Sequence, residues 1–190
     1  MDGKIAFEEH MSIPETLEDA KMFAGGSADW KSFQEEILDI GEIRLNHMDE
    51  NGIGFTILSL NAPAVQAILD TDEAILISKK ANDHLAEQVA KNPDRFAGFA
   101  ALPMQDPDAA AEELTRCVKD FGFVGSLVNG FTQKDVPDSA IYFDTPDYSD
   151  FWSVVEDLDV PFYLHPRTQI PARAQPYEGQ IGRASCRERV

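Results

Sequence analysis

Lys4-Ile5-Ala6-Phe7-Glu8-Glu9-His10 is the stretch from which the rest of the chain is read. It has the pattern of a strand, with Ile5 and Phe7 alternating before an abrupt end in Glu8, Glu9 and His10. Side chains alternate across a strand, so Glu8 and His10 are expected on the same side. A carboxylate and an imidazole two residues apart, at the carboxyl end of a strand, can hold one metal ion together. The plainer reading is a charged strand end meeting solvent. The remainder of the chain decides between the two.

After His10 comes a loop with Pro14 and the pair Gly25-Gly26. Asp29 and Ser32 are both candidate helix caps, and Ser32 with Glu35 reads as a capping box. The helix that follows carries Phe33, Ile37, Ile40, Ile43, Leu45 and Met48, with Gly41 a point of interruption and Gly52 a fitting stop. Gly54–Leu60 is a nearly continuous apolar run, as in a strand buried on both faces. A helix from Thr71 or Asp72 to about Lys91 shows the stripe Ala81, Leu85, Val89. Phe96–Ala101 reads as the third strand. Asp106-Pro107 starts a helix by a cap followed by proline, and Gly122 closes it. Phe123–Val128 is the fourth strand, ending in Asn129-Gly130. A polar loop leads to a helix with Phe151, Trp152, Val155 and Leu158, and then to Val160–Leu164, which runs into His165-Pro166-Arg167.

Strands and helices therefore alternate, which predicts an α/β fold with a parallel sheet. No Gly-x-Gly-x-x-Gly follows any strand, so a (β/α) barrel is preferred to a nucleotide-binding doubly wound sheet. Barrel active sites are built at the carboxyl ends of strands. Here those ends carry Glu8 and His10, Asn61, Asn129 and His165. Two histidines at one face, one of them beside Glu8, point to a shared metal site. His47 and His84 sit among polar neighbours and read as surface residues. Cys117 lies on a helix with no nearby His or Cys and reads as a small packed residue.

Composition narrows the function classes. A net charge of −18 over 190 residues argues against a nucleic-acid partner. With 43% hydrophobic residues the chain has enough for a core. No apolar run approaches the ~20 residues of a membrane span. Neither a secretory signal nor a disulfide framework is visible, so a cytoplasmic protein is expected.

The last residues, Ile181–Val190, are basic and unlike what precedes them. IGRASCRERV equals the translation of ATC GGA AGA GCG TCG TGT AGG GAA AGA GTG, the continuation of a common sequencing adapter that begins AGATCGG. The leading AG would complete a codon for Gln180. Residues 1–179 are accordingly expected to be the N-terminal part of one barrel domain, and 180–190 a non-native read-through tail. Leaving out the tail's three Arg and one Glu takes the net charge from −18 to −20.

Several blocks resemble one family: KIAFEEH at Lys4–His10, LSLNAPAVQAI at Leu58–Ile68, RFAGFAALPMQDPDAA at Arg95–Ala110, ELTRCVKDFGFVGSLVNG at Glu113–Gly130, and LDVPFYLHPR at Leu158–Arg167. The resemblance is to the gamma-resorcylate (2,6-dihydroxybenzoate) decarboxylases. These belong to the aminocarboxymuconate-semialdehyde decarboxylase branch of the amidohydrolase superfamily. That superfamily usually opens with His-x-His, whereas this chain has Glu8-x-His10, as the resorcylate decarboxylases do. Related fungal-type decarboxylases tend to carry Ala where this chain has His10.

The resemblance implies an amidohydrolase-type (β/α)8 TIM barrel, truncated here after about the fifth strand. It implies metal-dependent, non-oxidative and reversible decarboxylation of a hydroxybenzoate. One divalent ion (manganese, zinc or magnesium) is implied, with no organic cofactor. Glu8, His10 and His165 would ligate the metal, Phe23 would pack on the substrate ring, and Asn129 would hydrogen-bond the substrate. No catalytic proton donor is implied within this chain. The family's remaining parts, a His after the sixth strand and an Asp after the eighth, lie on later strands. The full-length protein would be a homo-oligomer acting on a small aromatic acid. Two alternatives stand beside this reading: a metal-dependent hydrolase on the same scaffold, and a chain that as it stands is catalytically inactive.

Overall fold

The computed structural model describes residues 3–23 and 30–170, the side chains of 22 and 23 excepted. Its strands are β1 (Lys4–Met11), β2 (Ile53–Leu60), β3 (Phe96–Gly98), β4 (Ser126–Asn129), β5 (Thr132–Lys134), β6 (Val136–Ile141) and β7 (Phe162–His165). The helices are α1 (Trp30–Leu38), α2 (Glu42–Glu50), α3 (Thr71–Lys91), α4 (Pro107–Phe121) and α5 (Ser149–Leu158).

β1 pairs with β2, β2 with β3, and β4 with β7, all in parallel. An isolated parallel bridge, Ala100 to Ser126, joins β3's end to β4. The spatial order of these five strands therefore follows the chain. A doubly wound sheet reverses direction part-way, whereas a (β/α) barrel adds each strand beside the last. The arrangement is that of a barrel.

Local signals explain most boundaries. Asp70 caps α3 by accepting from the Glu73 N–H, and Asp106 caps α4 by accepting from Asp108 and Ala109. Gly122 ends α4 in the left-handed region, φ 69°. Helix α1 begins at Trp30, however, so Ser32 lies inside it and donates to Glu36 instead of forming a capping box. The other candidate cap, Asp29, lies outside the described residues, as do the Gly25-Gly26 pair and the 180–190 tail.

The third strand pairs with β2 only as far as Gly98, because the chain then changes partner. The Phe99 N–H donates to Leu58, whereas the Ala100 N–H donates to Gly125. Gly125 instead permits the close approach of the segment leading into β7: a Cβ there would lie 2.4 Å from the Pro161 carbonyl oxygen. The stretch expected as a polar loop holds the antiparallel hairpin β5–β6. Its strands read TQK and VPDSAI, too polar and proline-marked to carry a strand signal.

The core lies between the helices and the sheet's outer face. Met11, Leu58 and Leu60 from the strands meet Leu85, Leu114 and Cys117 from the helices, all nearly inaccessible. Each fully buried side chain of this size contributes about 1.5–3 kcal/mol, against ~0–1 for an exposed ion pair. The inner face is more open, and Ile5 and Phe7 are more than half exposed there. No described helix is long and apolar enough to cross a membrane.

Candidate metal centre

The carboxyl ends of β1 and β7 bring Glu8, His10 and His165 together. One ligand atom from each lies within 4.8 Å of the other two. His165 Nε2 stands 3.6 Å from Glu8 Oε1, and the two imidazoles meet edge to face, 5.2 Å between centroids.

Strand alternation is only part of the reason. Between the pairs Ala6–Thr56 and Glu9–Leu58, β1 carries one residue more than β2. This bulge breaks the two-residue period. Phe7 consequently joins Glu8 on the inner side, where its ring lies 6.1 Å from Tyr163 while Glu8 accepts from the Tyr163 hydroxyl.

Both histidines are oriented through Nδ1. His10 Nδ1 lies 3.0 Å from Ser59 Oγ, and the Ser59 hydroxyl also reaches the Glu9 carbonyl at 3.3 Å. A carbonyl only accepts, so the hydroxyl donates to Glu9 and accepts from a protonated His10 Nδ1. His165 Nδ1 lies 3.1 Å from Asn129 Oδ1, likewise an acceptor. The Nε2 lone pair of each ring is thus left for a cation, with the partner on the other nitrogen typical of metal-binding histidines. Burial, then the nearby His165, pull the His10 imidazole down to about 4, with Glu8 opposing and Arg44 adding to the shift. A neutral imidazole is the form that binds metal. Arg44 also fixes the strand end, donating to the His10 carbonyl at 2.7 Å.

Asn129 is fully buried, and its amide is engaged by His165 and by Gln66. The structure thus places it behind His165. Phe23 ends a 3₁₀ turn, Leu17–Phe23, and its side chain lies outside the described residues. Asn61 turns its side chain to the neighbouring Ala62 carbonyl. His47 is exposed and Cys117 is buried, as expected. Burial, then the Glu113 charge, raises the Cys117 thiol far above its usual range.

Sequence reasoning missed Tyr163 and Ser59. Tyr163 could have been found, since it stands two residues before His165 on the same strand. Ser59 could not, because its position opposite His10 depends on register across 49 residues.

A carboxylate and two histidines at the carboxyl ends of parallel barrel strands form a cluster that could hold one metal ion, in the place where barrel active sites are built. The chain belongs to the amidohydrolase family, whose pattern matches residues 10–181. It is 58% identical to the gamma-resorcylate decarboxylase of Rhizobium sp. (strain MTP-10005) over 179 residues, 94% of this chain and 54% of that protein. Among solved structures, a 2,6-dihydroxybenzoate decarboxylase complexed with 2,6-dihydroxybenzoate is similar at 58% identity and a TM-score of 0.90, over 95% of this chain and 55% of that one. The dihydroxybenzoic acid decarboxylase of Polaromonas sp. JS666, with manganese and the inhibitor 2-nitroresorcinol bound, is similar at 55% identity and a TM-score of 0.89, over 95% and 54%. The chain spans about half the length of the relatives it matches.

Proposed function

We propose that this chain is the N-terminal part of a metal-dependent decarboxylase of small hydroxybenzoates such as 2,6-dihydroxybenzoate. The observation that carries the reading is the Glu8–His10–His165 cluster, with both imidazoles presenting Nε2. Similarity to decarboxylases along nearly the whole chain supports the substrate class.

Loss of carbon dioxide breaks the bond between the ring and the carboxylate carbon, and its electron pair returns to the ring. The ring carbon takes up one proton in exchange. Glu8, His10 and His165 would hold a divalent ion, which when bound would supply Lewis-acidic stabilisation of the anionic substrate. A carboxylate in the ligand set makes the site harder, which favours manganese or magnesium over zinc, and manganese is the proposed ion. Tyr163 holds Glu8 in place, and Ser59 and Asn129 fix the imidazole planes. Fixed ligands keep the substrate's reacting carbon at one position, which lowers the entropic part of the barrier. The acid that protonates the ring is assigned to the part of the relatives this chain does not cover.

The test is to load the full-length protein with manganese and supply 2,6-dihydroxybenzoate. Release of carbon dioxide and 1,3-dihydroxybenzene, lost on chelation and absent in Glu8→Gln, is the expected result. Hydrolysis of a lactone or amide, with no decarboxylation, would replace this reading with a hydrolase.

A further inference from the structure

We infer that Gln66 is a positioning residue that sets the proton of His165. It touches neither His165 nor the metal cluster and acts through Asn129.

Gln66 lies in the 3₁₀ turn Ala64–Ala67 after β2, and its side chain is 1% exposed. Its Nε2 donates to the Leu102 carbonyl at 2.7 Å. Its Oε1 accepts from the Asn129 main-chain N–H at 3.3 Å and from Asn129 Nδ2 at 3.4 Å. Asn129 Oδ1 in turn faces His165 Nδ1 at 3.1 Å.

An amide can be turned over without changing its shape, so something must fix its polarity. Here two main-chain groups do so. The Leu102 carbonyl only accepts, and the Asn129 N–H only donates. Gln66 must therefore face Leu102 with nitrogen and Asn129 with oxygen. The Asn129 side chain must then present Nδ2 to Gln66, because a turned amide would set oxygen against oxygen. That leaves Oδ1 towards His165, whose Nδ1 must carry the hydrogen. The His165 Nε2 lone pair is the end of this chain of constraints. Both amides are buried, so a wrong orientation finds no water as a replacement partner.

The role rests on His165 being a metal ligand, but the proton's position can be read without metal. In the metal-free full-length protein, nitrogen-15 spectra of the imidazoles are expected to show His165 protonated at Nδ1. A neutral His165 protonated at Nε2 would overturn the inference, with no variant needed. Manganese titration supplies the second arm. Gln66→Met keeps the volume, removes both polar ends, and is expected to weaken binding about 10–100-fold. Asn129→Asp offers His165 an oxygen in either orientation. In that background Gln66→Met is expected to cause no loss, a non-additivity that packing alone does not produce. Equal losses in both backgrounds would make Gln66 a packing residue and overturn the inference. A wild-type protein that binds no manganese would overturn the metal reading, while the ring spectrum still decides the relay.

Discussion

Tyr163 on β7 donates its hydroxyl hydrogen to the Glu8 carboxylate on β1, across 155 residues of sequence and from opposite ends of the five-strand order. This bond and the meeting of His10 with His165 tie the two ends of the array together. Removing the hydroxyl in Tyr163→Phe leaves the ring stacked on Phe99, 6.2 Å between centroids. The fold is expected to persist while manganese affinity of the full-length protein falls about 10-fold. Isothermal titration calorimetry checks this. Unchanged affinity would mean that Glu8 needs no help from Tyr163.

Glu8→Gln changes one atom and one charge. A lost ligand is expected to cost more than the ~10–100-fold of an outer partner. Manganese at ~100 times its Kd should stabilise the wild type by about 2.7 kcal/mol. The same concentration should leave the melting temperature of Glu8→Gln unmoved. An equal upward shift in both proteins would place the ion elsewhere.

Asn82 is a stability residue, not a site residue. It is buried on α3, accepts from the Ala101 N–H, and donates to the Ala101 carbonyl and to Glu113. Glu113 is itself buried and pairs with Arg116 at 2.7 Å. Asn82→Ala strips partners from two main-chain groups and a buried carboxylate. The expected cost is about 3 kcal/mol or more, read by urea denaturation. A loss below ~1 kcal/mol would mean that water replaces the amide.

Asn82 also marks the limit of what the sequence discloses. It lies outside the apolar stripe Ala81, Leu85, Val89 that marks the helix's inner face, yet helical geometry turns Asn82 inward. The five parallel strands, the caps at Asp106 and Gly122, and the shared side of Glu8 and His10 could all be read from local patterns. The candidate ligand residues were legible through the family resemblance and through their strand-end positions. The bulge at Phe7 and Glu8, the Ser59 contact and the Gln66 relay were not legible. Each depends on how distant segments align, and no local period encodes that. The hairpin Thr132–Ile141 was missed for another reason: its strands are held by pairing and by polar contacts such as Lys134 N–H to Ser139, not by apolar alternation.

Alkaline pH should reveal Tyr148. Its hydroxyl donates to the buried Met104 carbonyl. Burial, then the carboxylates of Asp147 and Asp106, push it up from 10.0 to about 12. Between those values the unfolded chain loses a proton that the folded chain keeps. Stability from this group is therefore intact below about pH 10 and declines as pH rises towards 12. Tyr148→Phe is expected to be less stable at neutral pH by about 1 kcal/mol and to lose less than the wild type above pH 10. Parallel stability curves would assign the alkaline loss to other groups.

On its own, the 190-residue chain is expected to be catalytically inactive with 2,6-dihydroxybenzoate and manganese, and prone to self-association. Among the described residues β1 and β7 are edge strands, and Ile5, Phe7 and Leu164 on them are more than half exposed. Such edges invite pairing with other chains. The parent gene is expected to read on past codon 180 without IGRASCRERV. Sequencing across that codon and light scattering of the isolated chain check the two expectations. A soluble monomer that turned over substrate would defeat the first.

A strand order that follows the chain also gives the site a schedule. During synthesis each strand can settle beside the one just completed, since folding tends to proceed from the N-terminus as the chain emerges. Glu8 and His10 are made almost at once, but their companion His165 arrives only with β7. The earlier strands can assemble while the cluster still lacks one of its three members, His165. On the proposed reading, metal capture would wait for the arrival of β7, and an ion taken up there would report that the strands before it are already in place.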